Sequence, residues 1–279
     1  MIVSSVINLI LNILLVLAGV GIAGIAIATI IAQAVSGMLL FIQMRKRFPL
    51  VIPGKKELSF HWGLLKLTLK ICIPIVIQQV MIFLGMLVVQ GFINQFGSIN
   101  IGGMTAASRI EAFVLLPLQA FGNSLSIFAG QNFGANEMGR LKQGTRFCVL
   151  MSLITAATLS ILLLFFGESF LGLIVGENAE MTASGYSYFR ICLWFYPVNA
   201  LIYGIGGMLT GVGDTIIASI YSIASILVKL IVTIILMHQM GFLAVAVASC
   251  CGWCAASIVV IARYFSNKWK AKSVAKCTV

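Results

Sequence analysis

Glu111 and Lys229 are ionisable groups in stretches of sequence that are mostly apolar. A charge in such surroundings is costly unless it faces a water-filled cavity or a partner. Lys229 stands between Val228 and Leu230 in the middle of an apolar run and reads as a cavity-facing or functional group. Arg109 lies two residues before Glu111. Either those two pair, or they sit near a membrane interface where Arg109 reaches water along its own stem. Arg190 reads as an interface anchor. Uncharged polar groups recur in the same apolar runs: Gln78, Gln79, Gln90, Asn123, Tyr196, Asn199 and Tyr203. Such residues either hydrogen-bond helix to helix or line a cavity.

These groups do not form an enzyme's constellation. His61 and His238 stand near loops with no nucleophile, base or metal cluster beside them. Six of the seven cysteines (72, 148, 192, 250, 251 and 254) fall in apolar stretches, where Cys behaves as a small hydrophobe, and Cys277 lies in the tail. Cys251 and Cys254 have C-x-x-C spacing, but no His follows and no second pair exists, so no metal or other bound cofactor is expected. Gly211-Val-Gly-Asp-Thr215 lacks the Gly-Lys-Ser/Thr of a phosphate loop, which argues against ATP-driven chemistry. Gly211 and Gly213 instead suit a tight reversal, with Asp214 or Thr215 capping the helix that follows. Gly130, Gln131, Asn132 and Gly134 read first as a helix-ending turn. A gating role at the cytoplasmic face is the alternative.

The elements that hold these residues follow from composition. The chain is 61% hydrophobic and 9% charged over 279 residues, too apolar for a soluble interior to hide. The apolar residues arrive in blocks of about twenty, the length that crosses a bilayer core as helix. Eight helices are predicted, at 3–18, 22–44, 71–93, 104–128, 146–166, 186–210, 216–237 and 242–264. The net charge of +11 does not signal nucleic acid, because fifteen of the 18 basic residues fall in three clusters between or after apolar blocks. These are Arg45, Lys46, Arg47, Lys55, Lys56, Lys66 and Lys70; then Arg140, Lys142 and Arg146; then Arg263, Lys268, Lys270, Lys272 and Lys276. Alternating crossings put all three on one side, which the positive-inside rule makes cytoplasmic together with both termini, facing anionic lipids. The opposite connections carry Glu168, Glu177 and Glu180 and no base.

No basic n-region or cleavage site marks a signal peptide, and the chain opens inside an apolar helix. Residues 53–69 mix Lys55, Lys56 and Lys66 with Leu58, Trp62, Leu64, Leu65 and Leu67, as an interfacial helix would, with His61 and Trp62 at headgroup depth; a plain loop is the alternative. Gly21–Thr29 repeats as Gly241–Ser249, with Gly21, Ala26 and Ala28 matching Gly241, Ala246 and Ala248. A parallel repeat of six helices would make the first two helices the end of an earlier unit, with four helices missing.

Gly122-Asn-Ser-Leu-Ser-Ile-Phe-Ala-Gly-Gln-Asn-Phe-Gly-Ala135, with Arg140, Lys142 and Gly144, resembles a segment of the multidrug and toxic compound extrusion (MATE) transporters. Pro74 with Gln78-Gln79, Asn94-Gln-Phe-Gly97, Ala106-Ala-Ser-Arg-Ile-Glu111 and Gly211-Val-Gly-Asp-Thr215 extend the resemblance in order and spacing over nearly the whole chain. It implies an all-α, polytopic membrane bundle that matches helices five to twelve of a twelve-helix plan. Residues 1–45 would be the last two helices of a first lobe, 46–70 a cytoplasmic linker, 71–266 a complete six-helix second lobe and 267–279 a basic tail. The implied function is a plasma-membrane antiporter, not an enzyme. It would export drugs and organic cations in exchange for Na⁺ or H⁺ by alternating access. Membrane lipids, small hydrophobic or cationic substrates and an absent first-lobe segment are the expected partners. Some members carry an acidic residue in the helix that matches 71–93, where this chain has Gln78 and Gln79. Glu111 is then the coupling carboxylate expected in this lobe, although other members couple through the first helix of the first lobe. Met81, Met86, Met104, Met208 and Met237 would suit varied hydrophobic substrates, or simply pack. The alternatives are a flippase for lipid-linked precursors, which calls for a basic cavity built from Arg109, Arg190 and Lys229, and a truncated remnant that does not transport.

Overall fold

A computed structural model of the chain describes residues 2–47, 59–176 and 178–271. Within them nine α-helices follow one another, with no strand. These are α1 (Ile2–Leu17), α2 (Ile22–Arg47), α3 (Trp62–Ile93), α4 (Gly97–Gly134), α5 (Met138–Val175), α6 (Ala179–Cys192), α7 (Tyr196–Gly211), α8 (Ile216–Met240) and α9 (Leu243–Phe265). Six helical runs among them are long and apolar enough to cross a membrane. The longest, Trp62–Gly134, has 73 residues and would measure about 110 Å as one rod, several times a bilayer core. It holds two crossings, divided at a short 3₁₀ turn, Asn94–Phe96, and at Gly97, whose φ of 82° lets the chain reverse.

The chain divides into two compact units, residues 1–63 and 64–279. The first contains the α1–α2 hairpin. Its turn uses Gly19 and Gly21, both at positive φ. Asn8 donates to Thr29 Oγ1 at 3.3 Å between the two helices. Arg45, Lys46 and Arg47 fill the last turn of α2, where the helix dipole favours cations. The second unit contains α4 to α9 and nearly all of α3.

In the second unit α4 and α7 run parallel on a seam of small residues. A Cβ at Gly122 would stand 2.7 Å from the Tyr203 carbonyl oxygen, and one at Gly207 or Gly211 would strike the backbone of Gly122 or Ser126. Gly122, Ser126 and Gly130 recur every fourth residue on α4, as Tyr203, Gly207 and Gly211 do on α7, so the backbones approach as in small-xxx-small membrane packing. At the other end of α4, Gly103 meets Gly185 of α6 in the same way. The hydrogen bonds of α3 to α8 run Pro74 to Ser219 and Gln78 to Tyr221, so those two helices are also parallel. Since α7 and α8 are joined by a tight reversal, α3 and α4 are antiparallel.

The expected helix at 186–210 is two helices. Pro197, near the start of α7, offers no N–H, and a 3₁₀ turn, Leu193–Phe195, precedes it. The Leu193 carbonyl, four residues before that proline, accepts from Ser160 Oγ at 2.9 Å. Inside a bilayer such a freed carbonyl needs a side-chain partner. The expected helices at 71–93, 104–128 and 146–166 extend at both or one of their ends, to α3, α4 and α5. The reading by apolar runs stopped where the apolar residues stop, whereas these helices continue through the polar and basic residues beyond them. Trp62–Lys70 accordingly opens α3 instead of forming a separate surface helix, and residues 53–58 lie outside the described residues, as do Glu177, Lys272, Lys276 and Cys277.

The two copies of the internal repeat occupy matching places. Gly21 precedes α2 and Gly241 precedes α9, both at positive φ, and each helix closes a hairpin on the one before it.

Candidate functional site

A cavity of about 270 Å³ opens among α3, α4, α6, α7, α8 and α9. Gln78, Glu111, Asn199, Tyr203 and Lys229 of the expected site residues line it. Each comes from a different helix except Asn199 and Tyr203, which share the face of α7 one turn apart. Tyr188, Tyr221, Ser222, Ser225, Ser249 and Trp253 complete the polar and aromatic wall.

Glu111 is held from α6. Tyr188, 2% exposed, donates its hydroxyl to Glu111 Oε2 across 3.5 Å. Glu111 Oε1 has no hydrogen-bond partner, nor have the Tyr196 hydroxyl and Asn199 Nδ2. Buried groups of this kind call for water, an ion or a ligand polar group. Lys229 lines the same cavity from α8, and the two charges are near enough to interact through space. They do not touch. Among the described residues the one ion pair within 4.0 Å joins Arg263 to Asp214. At the cavity wall, Gln78 donates to the Tyr221 hydroxyl at 2.7 Å and Gln119 donates to the Tyr203 hydroxyl at 3.3 Å. These bonds orient two phenols at the wall.

Other expected residues fall elsewhere. Arg109 is exposed and forms no ion pair with Glu111. Two residues apart on a helix, their side chains leave on nearly opposite faces. Arg190, Gln79 and Asn123 are exposed as well. Tyr196 is buried behind the wall, its ring 6.0 Å from that of Trp253. Met86 lines the cavity, whereas Met104 and Met208 are packed in the core.

The loop motifs are helix ends. Past α4, Glu137 N–H bonds to Asn132 O and Asn136 N–H to Phe133 O, a Schellman pattern with its left-handed residue at Asn136, φ 60°. Asn132 is buried and its amide donates to the Phe128 carbonyl, while Gln131 and Gly134 are exposed. Past α7, Asp214 N–H bonds to Leu209 O and Gly213 N–H to Thr210 O, with Gly213 at φ 89°. Thr215 stands at the start of α8 without a side-chain cap bond, so the expected Thr215 cap is absent. Asp214, the other expected cap, is engaged by Arg263. Trp269 is buried at the same end, stacked on Tyr264 at 6.3 Å and beside Phe133 at 6.1 Å, so the expected tail begins as a 3₁₀ turn, Lys268–Ala271, folded against the bundle.

Sequence reasoning missed Tyr188, Tyr221 and Trp253. For α8 a signal existed. Tyr221, Ser222, Ser225 and Lys229 follow i, i+1, i+4, i+8 spacing, a polar stripe on one face of an apolar helix. Tyr188 offers no such signal, because the turn of 3₁₀ after α6 interrupts its register with α7.

Comparison with known proteins agrees with this architecture. The MatE family model matches residues 74–235. The chain is 29% identical over 287 residues to the probable multidrug resistance protein YoeA of Bacillus subtilis (strain 168), covering 99% of this chain and 62% of that relative. It thus spans under two thirds of that relative's length. Among solved structures, an outward-facing multidrug resistance MATE family transporter of the MOP superfamily superposes with a TM-score of 0.86 at 20% identity, covering 98% of this chain and 62% of that one. The Vibrio cholerae MATE transporter VcmN in its bent form gives 0.84 at 20% identity, with 98% and 62% covered. The fold is therefore shared with MATE transporters, and the match of the family model over more than half of its length makes this chain a multi-pass membrane protein of the MatE family.

Proposed function

We propose that the protein acts as a secondary antiporter that exports drugs and organic cations in exchange for Na⁺ or H⁺. One observation carries this reading: Glu111 presents a carboxylate oxygen without a partner to a cavity walled by polar and aromatic groups, deep among apolar helices. Such a group binds a cation or a proton and releases it when its surroundings change. The name of the Bacillus subtilis relative supports a drug-efflux role. The second unit from residue 64 would serve as one lobe, and exchange would follow rocking of two lobes about a central cavity. The clusters around Arg140 and Arg263 would face the cytoplasm, in the plasma membrane, under the positive-inside rule.

The flippase reading asked for a basic cavity. Of Arg109, Arg190 and Lys229 only Lys229 lines it, and Glu111 shares the space. Export is tested in everted membrane vesicles with a fluorescent lipophilic cation under an imposed Na⁺ or H⁺ gradient. Gradient-dependent uptake is expected in the parent and is abolished by Glu111→Gln, with the variant still inserted in the membrane. Unchanged uptake by that variant contradicts the assignment.

A further inference from the structure

We propose that Lys229 is the built-in counter-cation of Glu111, so that a cation entering the cavity must displace it from opposite the carboxylate. The proposal rests on the transport reading above and deepens it, since it sets what the site excludes when empty.

The two residues are carried by different parts of the bundle. Glu111 belongs to α4, which is fixed to α6 at Gly103–Gly185 and to α7 along the glycine seam. Lys229 belongs to α8, which packs on α9. A Cβ at Gly252 of α9 would stand 2.8 Å from the Ser225 carbonyl oxygen and 3.4 Å from Lys229 Cβ. Lys229 thus leaves the close α8–α9 contact and lines the cavity that Glu111 also lines. Among the described residues no other charged side chain lines that cavity. Besides Lys229, the group that faces Glu111 most directly is the Tyr188 hydroxyl of α6, and Cys192, Tyr196 and Tyr203 lie within its electrostatic reach; none of these is a fixed cation. A carboxylate and an ammonium isolated together in a low-dielectric space compensate each other even without contact. Removing one leaves the other uncompensated. Because the pair is not locked by a direct salt bridge, an incoming cation can replace the ammonium without first breaking one.

The test uses the purified chain in lipid nanodiscs, with two readouts. Thermal unfolding without ligand reports the pair alone. Glu111→Gln and Lys229→Met should each lower Tm, and the double variant should recover part of the sum of the two losses. Lys229→Arg, which keeps the charge, should stay near the parent. Equilibrium binding of tetraphenylphosphonium reports displacement. Lys229→Met should bind it about tenfold more tightly than the parent, the size expected from lifting one like charge within a shared cavity. Additive Tm losses in the double variant overturn the pairing. Binding by Lys229→Met that is equal to or weaker than the parent's overturns the competition. Coupled Tm losses with no binding by any variant support the pairing and count against the transport reading, so the two failures are distinct.

Discussion

Arg263 donates its Nε–H to Asp214 across 2.6 Å, and so ties the last turn of α9 to the reversal between α7 and α8. Asp214 is 1% exposed and Arg263 20%, so the carboxylate lies on the buried side of the contact. A charge-assisted bond of this kind contributes about 2 kcal/mol. Asp214→Ala should lower Tm by that order of stability, and Arg263→Lys, which keeps the charge but loses the planar fork, by less. An unchanged Tm for Asp214→Ala contradicts a structural role for this contact.

The glycine seam separates glycines that the sequence marks alike as belonging to helix-ending turns. Gly211→Val should be poorly folded, because its side chain would meet the Ser126 backbone, and overpacking costs about 1–3 kcal/mol even where neighbours can adjust. Gly134→Ala has open space and should change stability by less than about 0.5 kcal/mol. Fluorescence-detected size exclusion measures both. If Gly134→Ala folds normally yet loses export, the segment around Gln131 and Asn132 serves gating beyond ending its helix.

The same contrast shows what the sequence made legible. The order of the apolar helices and the reversals at Gly97, Gly213 and Gly241 are encoded locally, in apolar run length and in residues that accept positive φ. Gln78, Glu111, Asn199, Tyr203 and Lys229 were recognisable because a polar group in a membrane helix needs an explanation wherever it points. Which way it points depends on helix rotation, and rotation is set by packing. Arg109 and Asn123 lie on α4 as Glu111 does, yet both are exposed. Arg263 was legible only as one of a basic cluster at the end of a helix, and Trp269 falls in the stretch expected to be a basic tail. Their partners, Asp214 and Phe133, are distant in sequence, and no local pattern announces such a pairing.

Two hydrogen bonds fasten α3 to α8: Ser219 Oγ to the Pro74 carbonyl at 2.6 Å, and Gln78 Nε2 to the Tyr221 hydroxyl at 2.7 Å. Interhelical bonds of this type contribute about 0.6 kcal/mol each in membrane proteins. Tyr221→Phe and Ser219→Ala should each lower Tm slightly. Together they should raise amide exchange in α3 while leaving α4 and α7 protected. Equal exchange in parent and double variant contradicts the role of these bonds in holding α3.

Trp253 lines the cavity that contains Glu111, which makes its fluorescence a direct report on whether cations bind there. The deciding measurement is a titration of the purified chain in nanodiscs with a lipophilic cation that quenches indole emission. A cation site in this cavity should give saturable quenching that Trp253→Phe removes and that Glu111→Gln weakens by about tenfold or more in affinity. Quenching that survives Trp253→Phe undiminished, or an affinity that Glu111→Gln leaves unchanged, would contradict the assignment of this cavity as the cation site.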